Sequence, residues 1–246
     1  MIIDVHAHIW KNKYEADRQD LLKAAEVHNI KKIFISALGC YIPDEDEIRE
    51  LNSEAEKTLK TYPDIFEGYV YVNPRNADAM DVLRRGIEEQ GFIGMKLWVA
   101  TYCDDRLCYP LYEQCIKYDI PVLIHSFYKA VDQLPYESLG QNVANVAKRY
   151  PEAKILMAHL GADCYNGIKP IAPYKNVSVD ISGSIYRADD LNYTIRQIGA
   201  DRILFGTDMG ASFNMSYGQI LEADCSEADR EKMLSGNAIK LFGLKL

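Results

Sequence analysis

The sequence IIDVHAHI at residues 2–9 is a short apolar run, rich in β-branched side chains, of the kind that forms a buried β-strand. Similar runs recur along the chain, and each ends near a glycine, asparagine, serine or aspartate. The later runs lie at residues 31–38, 67–73, 91–99, 120–127, 154–161, 176–183 and 202–209. Successive runs begin 22 to 36 residues apart, which is the length of one strand with a helix and its connections.

Helical patterns lie between these runs. Residues 76–89 place Met80, Leu83 and Ile87 on one helical face, and Ser226 with the aspartate three residues later is typical of a helix N-terminus. Strands that alternate with helices predict a parallel sheet. Eight such units in 246 residues predict closure into a single-domain (β/α)₈ TIM barrel over residues 1–246. The alternative is an open, doubly wound sheet, but no G-x-G-x-x-G follows a strand to support a dinucleotide-binding form.

Composition and charge restrict the class of protein. The chain has 28 Lys and Arg against 36 Asp and Glu, a net charge of −8, which argues against a nucleic-acid partner. Its six cysteines are scattered without a C-x-x-C pair and are typical of free thiols in a reducing compartment. No apolar run is long enough to span a bilayer, and the N-terminus MIIDVHAHIW lacks the basic region of a signal peptide. These features predict a cytoplasmic protein with a small-molecule substrate and no membrane partner, and they leave homo-oligomerisation open.

Four of the five histidines lie at strand ends, where the active sites of barrel enzymes are built. His6 and His8 end the first strand, His125 ends the fifth and His159 ends the sixth, while Asp208 ends the eighth. Alternate residues of a strand share a face, so His6 and His8 point the same way and lie close enough to share one cation.

The same alternation predicts the directions of the neighbouring side chains. It puts Asp4 on the face of the two histidines, and turns Ile3 and Val5 towards the helices. It also puts His159 on one face with Ile155 and Met157, and Asp208 on one face with Leu204 and Gly206.

Imidazole nitrogens with one carboxylate oxygen form a donor set that suits Zn²⁺ best, and Mn²⁺, Fe²⁺ and Co²⁺ also fit it. Three or four protein ligands that leave a position for water describe a catalytic site rather than a structural one. The sequence therefore predicts one divalent metal, with zinc as the first choice.

Several motifs carry a resemblance to a known family, and they span nearly the whole chain. They are D-V-H-A-H at 4–8, GFIGMKL at 91–97, PVLIHS at 121–126, AHLG at 158–161, FGTD at 205–208 and GNAIKLFG at 236–243. In their order and spacing the chain resembles the amidohydrolase superfamily, in its amidohydrolase-related branch. The resemblance implies a (β/α)₈ barrel from a group of metal-dependent hydrolases and non-oxidative decarboxylases of aromatic and unsaturated acids.

The resemblance also implies roles for individual residues. His6, His8, His125 and Asp208 would be the metal ligands, and Asp208 would also carry the catalytic proton. His159 would be a catalytic residue that polarises the substrate, or in some relatives a ligand.

Three further residues are candidates for substrate binding. Lys96 lies where two-metal relatives have a carboxylated lysine, but the one-metal context of GFIGMKL favours a free ammonium. The alternative for Lys96 is a structural pair with a carboxylate such as Asp180. Arg187 could hold an anionic substrate, or be an exposed helix residue. Trp98 could form one wall of an aromatic pocket, or take part only in aromatic packing.

The leading hypothesis from the sequence is a metal-dependent hydrolase that uses a metal-activated water on an amide, ester or lactone bond. In that reaction Asp208 accepts a proton from the water and His159 stabilises the developing oxyanion. The first alternative is a non-oxidative decarboxylase of an aromatic or unsaturated acid, in which Lys96 or Arg187 binds the substrate carboxylate. The second alternative is a metal-binding barrel without catalysis.

Overall fold

The computed structural model of the protein describes residues 1–184 and 186–245. These residues contain eight parallel strands that lie side by side in the order of the sequence. The strands are β1 (Ile2–Trp10), β2 (Ile30–Leu38), β3 (Phe66–Tyr71), β4 (Gly94–Leu97), β5 (Val122–Ile124), β6 (Ile155–Met157), β7 (Val177–Asp180) and β8 (Ile203–Leu204). The predicted (β/α)₈ barrel is confirmed.

Helices follow the strands and cover the outside of the sheet. They are α1 (Tyr14–His28), α2 (Glu45–Thr61), α3 (Ala79–Glu88), α4 (Tyr109–Tyr118), α5 (Gly140–Arg149), α6 (Cys164–Ile171), α7 (Asp190–Ile198), α8 (Phe213–Glu222), α9 (Glu227–Glu231) and α10 (Asn237–Phe242). Ser226 caps α9 as predicted, since its hydroxyl accepts a hydrogen bond from the Asp229 amide at 3.1 Å. In the described parts of the chain, no helix is both long enough and apolar enough to cross a membrane.

The barrel closes where the short strand β8 and the residues after it meet β1. The Val5 amide donates to the Phe205 carbonyl at 2.9 Å, and the Asp208 amide donates to the His6 carbonyl at 2.7 Å. This closing seam brings Asp208 beside the histidines of β1, although the two lie about two hundred residues apart in the sequence.

The buried carboxylate of Asp4 reinforces this seam. One of its oxygens accepts hydrogen bonds from the amides of His6 and Thr207, both at 3.1 Å. The other accepts the hydroxyl of Thr207 at 2.6 Å. Asp4 therefore joins the first strand to the end of the eighth.

Strand β1 contains a bulge that the alternating pattern did not predict. Asp4 and Ala7 lie three positions apart, but they pair with residues of β2 that are only two positions apart. The extra residue changes the faces on which the side chains lie. Ile3 and Val5 consequently pack inside the barrel, and the prediction that they face the helices is wrong. Their neighbours there come from five other strands: Phe34, Tyr69, Leu123, Leu156 and Leu204.

The valine variant at Thr207 tests the seam. Thr207→Val removes the hydroxyl that donates to Asp4 but nearly keeps the shape of the side chain, so a buried carboxylate oxygen loses its partner. We expect the free energy of unfolding, measured by urea denaturation, to fall by about 1–3 kcal/mol.

Thr101→Val is the matched control. Thr101 is buried, and its hydroxyl has no hydrogen-bond partner among the described residues. Its replacement should leave the free energy of unfolding unchanged or raise it slightly. Equal losses at the two positions would show that the bond to Asp4 has no special role.

Candidate active site

Three of the four predicted metal ligands meet at the mouth of the barrel. The Nε2 atoms of His6 and His8 lie 2.9 Å apart. The Oδ1 atom of Asp208 lies 3.3 Å from the His8 nitrogen and 3.8 Å from the His6 nitrogen. Their ligand atoms are close enough together to hold one metal ion.

The partners of the two histidines suit hydrogen on the Nδ1 atom of each ring. His6 Nδ1 lies 3.0 Å from a carboxylate oxygen of Asp180, and His8 Nδ1 lies 3.3 Å from the carbonyl oxygen of Ser36. His8 Nδ1 also lies 2.9 Å from the Ser36 hydroxyl, which can donate or accept. Hydrogen on both Nδ1 atoms gives each of these oxygens a donor, and in that arrangement both Nε2 atoms have free lone pairs. Two lone pairs facing each other at 2.9 Å form a place for a cation.

Burial also favours the neutral imidazoles that metals require. It lowers the pKa of His6 well below the usual range, and the nearby Lys96 adds to this effect. It likewise lowers the pKa of His8, with His6 as the next cause. Burial raises the pKa of Asp208 to about 6, even though Lys96 acts to lower it.

His125, the fourth predicted ligand, lies beside this trio rather than within it. Its Nδ1 is 3.2 Å from His159 Nε2, and its Nε2 is 3.0 Å from Glu137 Oε1. Burial lowers its pKa, although the hydrogen bond to Glu137 acts to raise it.

His159 reaches the site by a route that strand alternation did not predict. Strand β6 ends at Met157, and the chain then turns with a left-handed backbone at His159, where φ is 62°. Ile155 and Met157 pack in the core on the helix side of the sheet, so their predicted common face with His159 is wrong. A β-carbon at Gly183, where φ is 118°, would lie 3.0 Å from the His159 ring, so this approach depends on the glycine.

Asp180, at the end of β7, accepts several hydrogen bonds within the site. Besides His6 Nδ1, it accepts hydrogen bonds from the His159 amide at 3.1 Å and from the amide and hydroxyl of Ser182 at 3.0 and 2.5 Å. The sequence analysis considered Asp180 only as a partner for Lys96. Its position as the last residue of a strand was the signal that could have identified it.

Lys96 lies on β4 and is completely buried. Its Nζ is 3.2 Å from His6 Nε2, so it points into the mouth. Within the described residues no carboxylate forms an ion pair with it, so the structure does not show the pairing with Asp180. Burial lowers the pKa of Lys96 to about 8, and the nearby Asp208 and Asp180 act to raise it.

A cavity of about 240 Å³ opens above these groups. Its lining residues are His8, Trp10, Leu38, Tyr41, Trp98, His125, Phe127, Lys129, Leu134, Glu137, His159 and Asp208. Trp98 forms part of an aromatic wall, with ring centres 5.7 Å from Trp10 and 5.3 Å from Tyr41. Arg187, by contrast, lines a separate cavity and pairs with Asp163 at 3.1 Å.

Glu137 and Lys129 line the cavity but were not predicted. Both lie between β5 and α5, in a connection with no alternating pattern to reveal direction. Burial acts to raise the pKa of Glu137, but hydrogen bonds from His125 and Lys129 outweigh it and lower the pKa.

Comparison with known proteins places this barrel in a family. The sequence model of the family described as amidohydrolase matches residues 3–244. The chain therefore belongs to the amidohydrolase family. It is an amidohydrolase-type (β/α)₈ barrel, as the sequence motifs implied.

Individual relatives share this barrel at low sequence identity. The chain is 26% identical to gamma-resorcylate decarboxylase of Polaromonas sp. strain JS666, over 80% of this chain and 76% of the relative. It is 22% identical to 2-keto-4-carboxy-3-hexenedioate hydratase of Sphingobium sp. strain SYK-6, over 78% and 70%. The crystal structure of a dihydroxybenzoic acid decarboxylase from Polaromonas sp. JS666, with manganese and 2-nitroresorcinol, superposes with a TM-score of 0.76 at 22% identity, over 99% of this chain and 97% of that one.

Replacement of Asp180 tests its role in holding the site together. Asp180→Asn keeps the size of the side chain but removes the charge that strengthens its hydrogen bonds to His6, His159 and Ser182. We expect the free energy of unfolding to fall by about 1.5–3 kcal/mol in urea denaturation.

Asp189→Asn is the same chemical change in an exposed ion pair with Arg196. It should leave the free energy of unfolding nearly unchanged. If Asp180→Asn were as neutral as this control, its hydrogen bonds would not be structural.

Proposed function

We propose that the protein is a divalent-metal-dependent, non-oxidative decarboxylase of an aromatic or unsaturated acid. The observation that carries this proposal is Lys96, a buried ammonium next to the histidine cluster, beneath an aromatic-walled cavity. A buried cation without an ion pair is costly, and a substrate carboxylate would offset that cost. The chain is similar to proteins described as decarboxylases, and this similarity supports decarboxylation over the hydrolysis that the sequence favoured.

His6, His8 and Asp208 are the proposed metal ligands, with His125 as the fourth. The facing lone pairs of His6 and His8 fit a divalent cation, which when bound would polarise a substrate oxygen as a Lewis acid. Manganese is supported by a structurally similar decarboxylase, whereas nothing in that comparison favours zinc in particular.

The cavity residues bind and orient the substrate in this proposal. Trp10, Trp98 and Phe127 pack against the ring or double bond. Lys96 does not line the cavity itself, and its buried ammonium beside His6 attracts the carboxylate from the metal side. A volume of about 240 Å³ suits a small acid of this kind.

Asp208 is the proposed proton carrier, because its side chain is about one quarter exposed and lines the cavity. The bond between the carboxylate and the ring carbon breaks, carbon dioxide leaves, and a proton held at the Asp208 carboxyl takes its place on carbon. The step needs no oxidant or reductant. His159, which also lines the cavity, polarises a substrate oxygen.

Product analysis of a substrate panel tests the reaction class. With hydroxybenzoic acids, unsaturated acids, lactones and amides, we expect carbon dioxide only from one of the acids. In deuterated water the product should carry one deuterium at the carbon that held the carboxylate. Hydrolysis without carbon dioxide, or addition of water to an unsaturated acid, would overturn the proposal. Bound metal with no turnover across the panel would favour a binding protein.

Lys96→Met separates function from folding. We expect turnover of the acid to fall by about 10²-fold or more, because the carboxylate loses its cation. The free energy of unfolding should stay the same or rise, because an unpaired buried charge is replaced by an apolar side chain. Lys154→Met, in a pair with Asp119 outside the cavity, is the control and should change neither. Loss of stability with unchanged turnover would assign Lys96 a structural role.

The metal site is tested by the double variant His6→Ala, His8→Ala. Wild-type protein reconstituted with Mn²⁺ should hold about one ion per chain and melt at a higher temperature than the metal-free protein. The double variant should keep its circular dichroism spectrum but show neither bound metal nor the shift. His28→Ala, which removes a ring stacked on Phe213 at 3.7 Å, should still bind metal. Full metal content in the double variant would exclude these ligands.

A further inference from the structure

The connection between β5 and α5 begins at His125 and brings the buried carboxylate of Glu137 back beside that histidine. Glu137 lies twelve residues after His125, and only 2% of it is exposed. Its Oε1 lies 3.0 Å from His125 Nε2. The sequence analysis assigned no role to this residue.

We propose that Glu137 is a positioning residue that fixes the tautomer and direction of His125. The carboxylate accepts hydrogen from Nε2, and Nδ1 keeps the free lone pair on the side of the ring that faces His159. The inference rests on the proposed function, since it makes His125 an Nδ1 ligand of the proposed metal. A ligand histidine generally donates its other nitrogen to a carboxylate or carbonyl oxygen.

The surroundings of Glu137 keep its carboxylate fixed and ionised. Lys129 Nζ donates to both oxygens, at 3.0 and 2.9 Å. Gln133 Nε2 and the Leu134 amide donate to Oε2, at 2.7 and 3.2 Å. An ionised carboxylate has no hydrogen to give, so the bond to His125 has only one direction.

The same arrangement occurs at the other proposed histidine ligands. His6 Nδ1 faces the Asp180 carboxylate, and His8 Nδ1 faces the carbonyl and hydroxyl oxygens of Ser36. Glu137 gives His125 the equivalent acceptor, but on its Nε2 side. In each of the three imidazoles, one nitrogen therefore faces an acceptor of the protein and the other faces the proposed metal site.

Two other roles for Glu137 fit less well. A simple ion pair with Lys129 would not explain the bond to His125 or the nearly complete burial of the carboxylate. A role as metal ligand is disfavoured because both oxygens already accept hydrogen bonds from protein donors.

Nuclear magnetic resonance of the metal-free protein tests the tautomer directly. Histidine labelled with ¹⁵N is observed at about pH 8, above the ordinary histidine pKa, and the His125 signals are assigned by their loss in His125→Gln. We expect hydrogen on Nε2 in the wild type. Hydrogen on Nδ1 of the wild-type protein would overturn the proposal, and this result needs neither metal nor substrate.

Glu137→Gln then tests the consequence for metal binding. The amide is a weaker acceptor that can also donate, so the tautomer should become mixed and Mn²⁺ affinity should fall about 10–100-fold. Glu137→Asp, which retains the carboxylate, should restore part of the affinity. Gln133→Ala is the matched control, because it removes a donor to the other oxygen of Glu137 but does not contact His125. It should keep the tautomer and change Mn²⁺ affinity less than about twofold.

The outcomes separate this inference from the proposed function. Equal losses of affinity in Glu137→Gln and Gln133→Ala, or a loss with the tautomer unchanged, would show that Glu137 only stabilises the connection. A wild type that has hydrogen on Nε2 but binds no Mn²⁺ would contradict the proposed metal and leave Glu137 as the residue that orients His125.

Discussion

The site depends on the hydrogen bonds that the carboxylate of Asp180 accepts. It accepts hydrogen bonds from the first strand, through His6, and from the chain just after the sixth and seventh strands, through His159 and Ser182. It thereby fixes the His6 tautomer and holds the turn that carries His159. Because the free nitrogen of His6 faces His8, Asp208 and Lys96, one acceptor on β7 sets the donor geometry of the whole mouth.

The barrel could be predicted because its signal is repeated. Eight apolar runs at nearly regular spacing indicate a closed parallel sheet even where single boundaries are wrong. Strand alternation also gave the common face of His6 and His8. It failed where the backbone departs from a regular strand, at the bulge in β1 and at the left-handed turn of His159.

The rest of the site lies on connections, where the sequence has no periodic pattern. Glu137 and Lys129 reach the cavity from the segment before α5, and nothing in their spacing indicates this. The position of Arg187 after β7 made it a reasonable candidate for substrate binding. In the structure it pairs with Asp163 and lines a separate cavity. The motifs also could not decide between hydrolysis and decarboxylation, because the histidines and Asp208 can serve both reactions. The buried ammonium of Lys96, which forms no ion pair with a described residue, and the similarity to known decarboxylases were needed to favour one.

The seam between β1 and β8 has a consequence for how the chain folds. Its contacts join residues about two hundred positions apart, so the barrel cannot close until nearly all of the chain has been synthesised. Until then β1 has an unpaired edge with an apolar sequence, which is a template for pairing with other chains. Closing such a long-range contact is slow, and the nascent protein is therefore exposed to aggregation for most of its synthesis. The buried Asp4 helps to end that period, because its bonds to Thr207 form only when the last strand arrives.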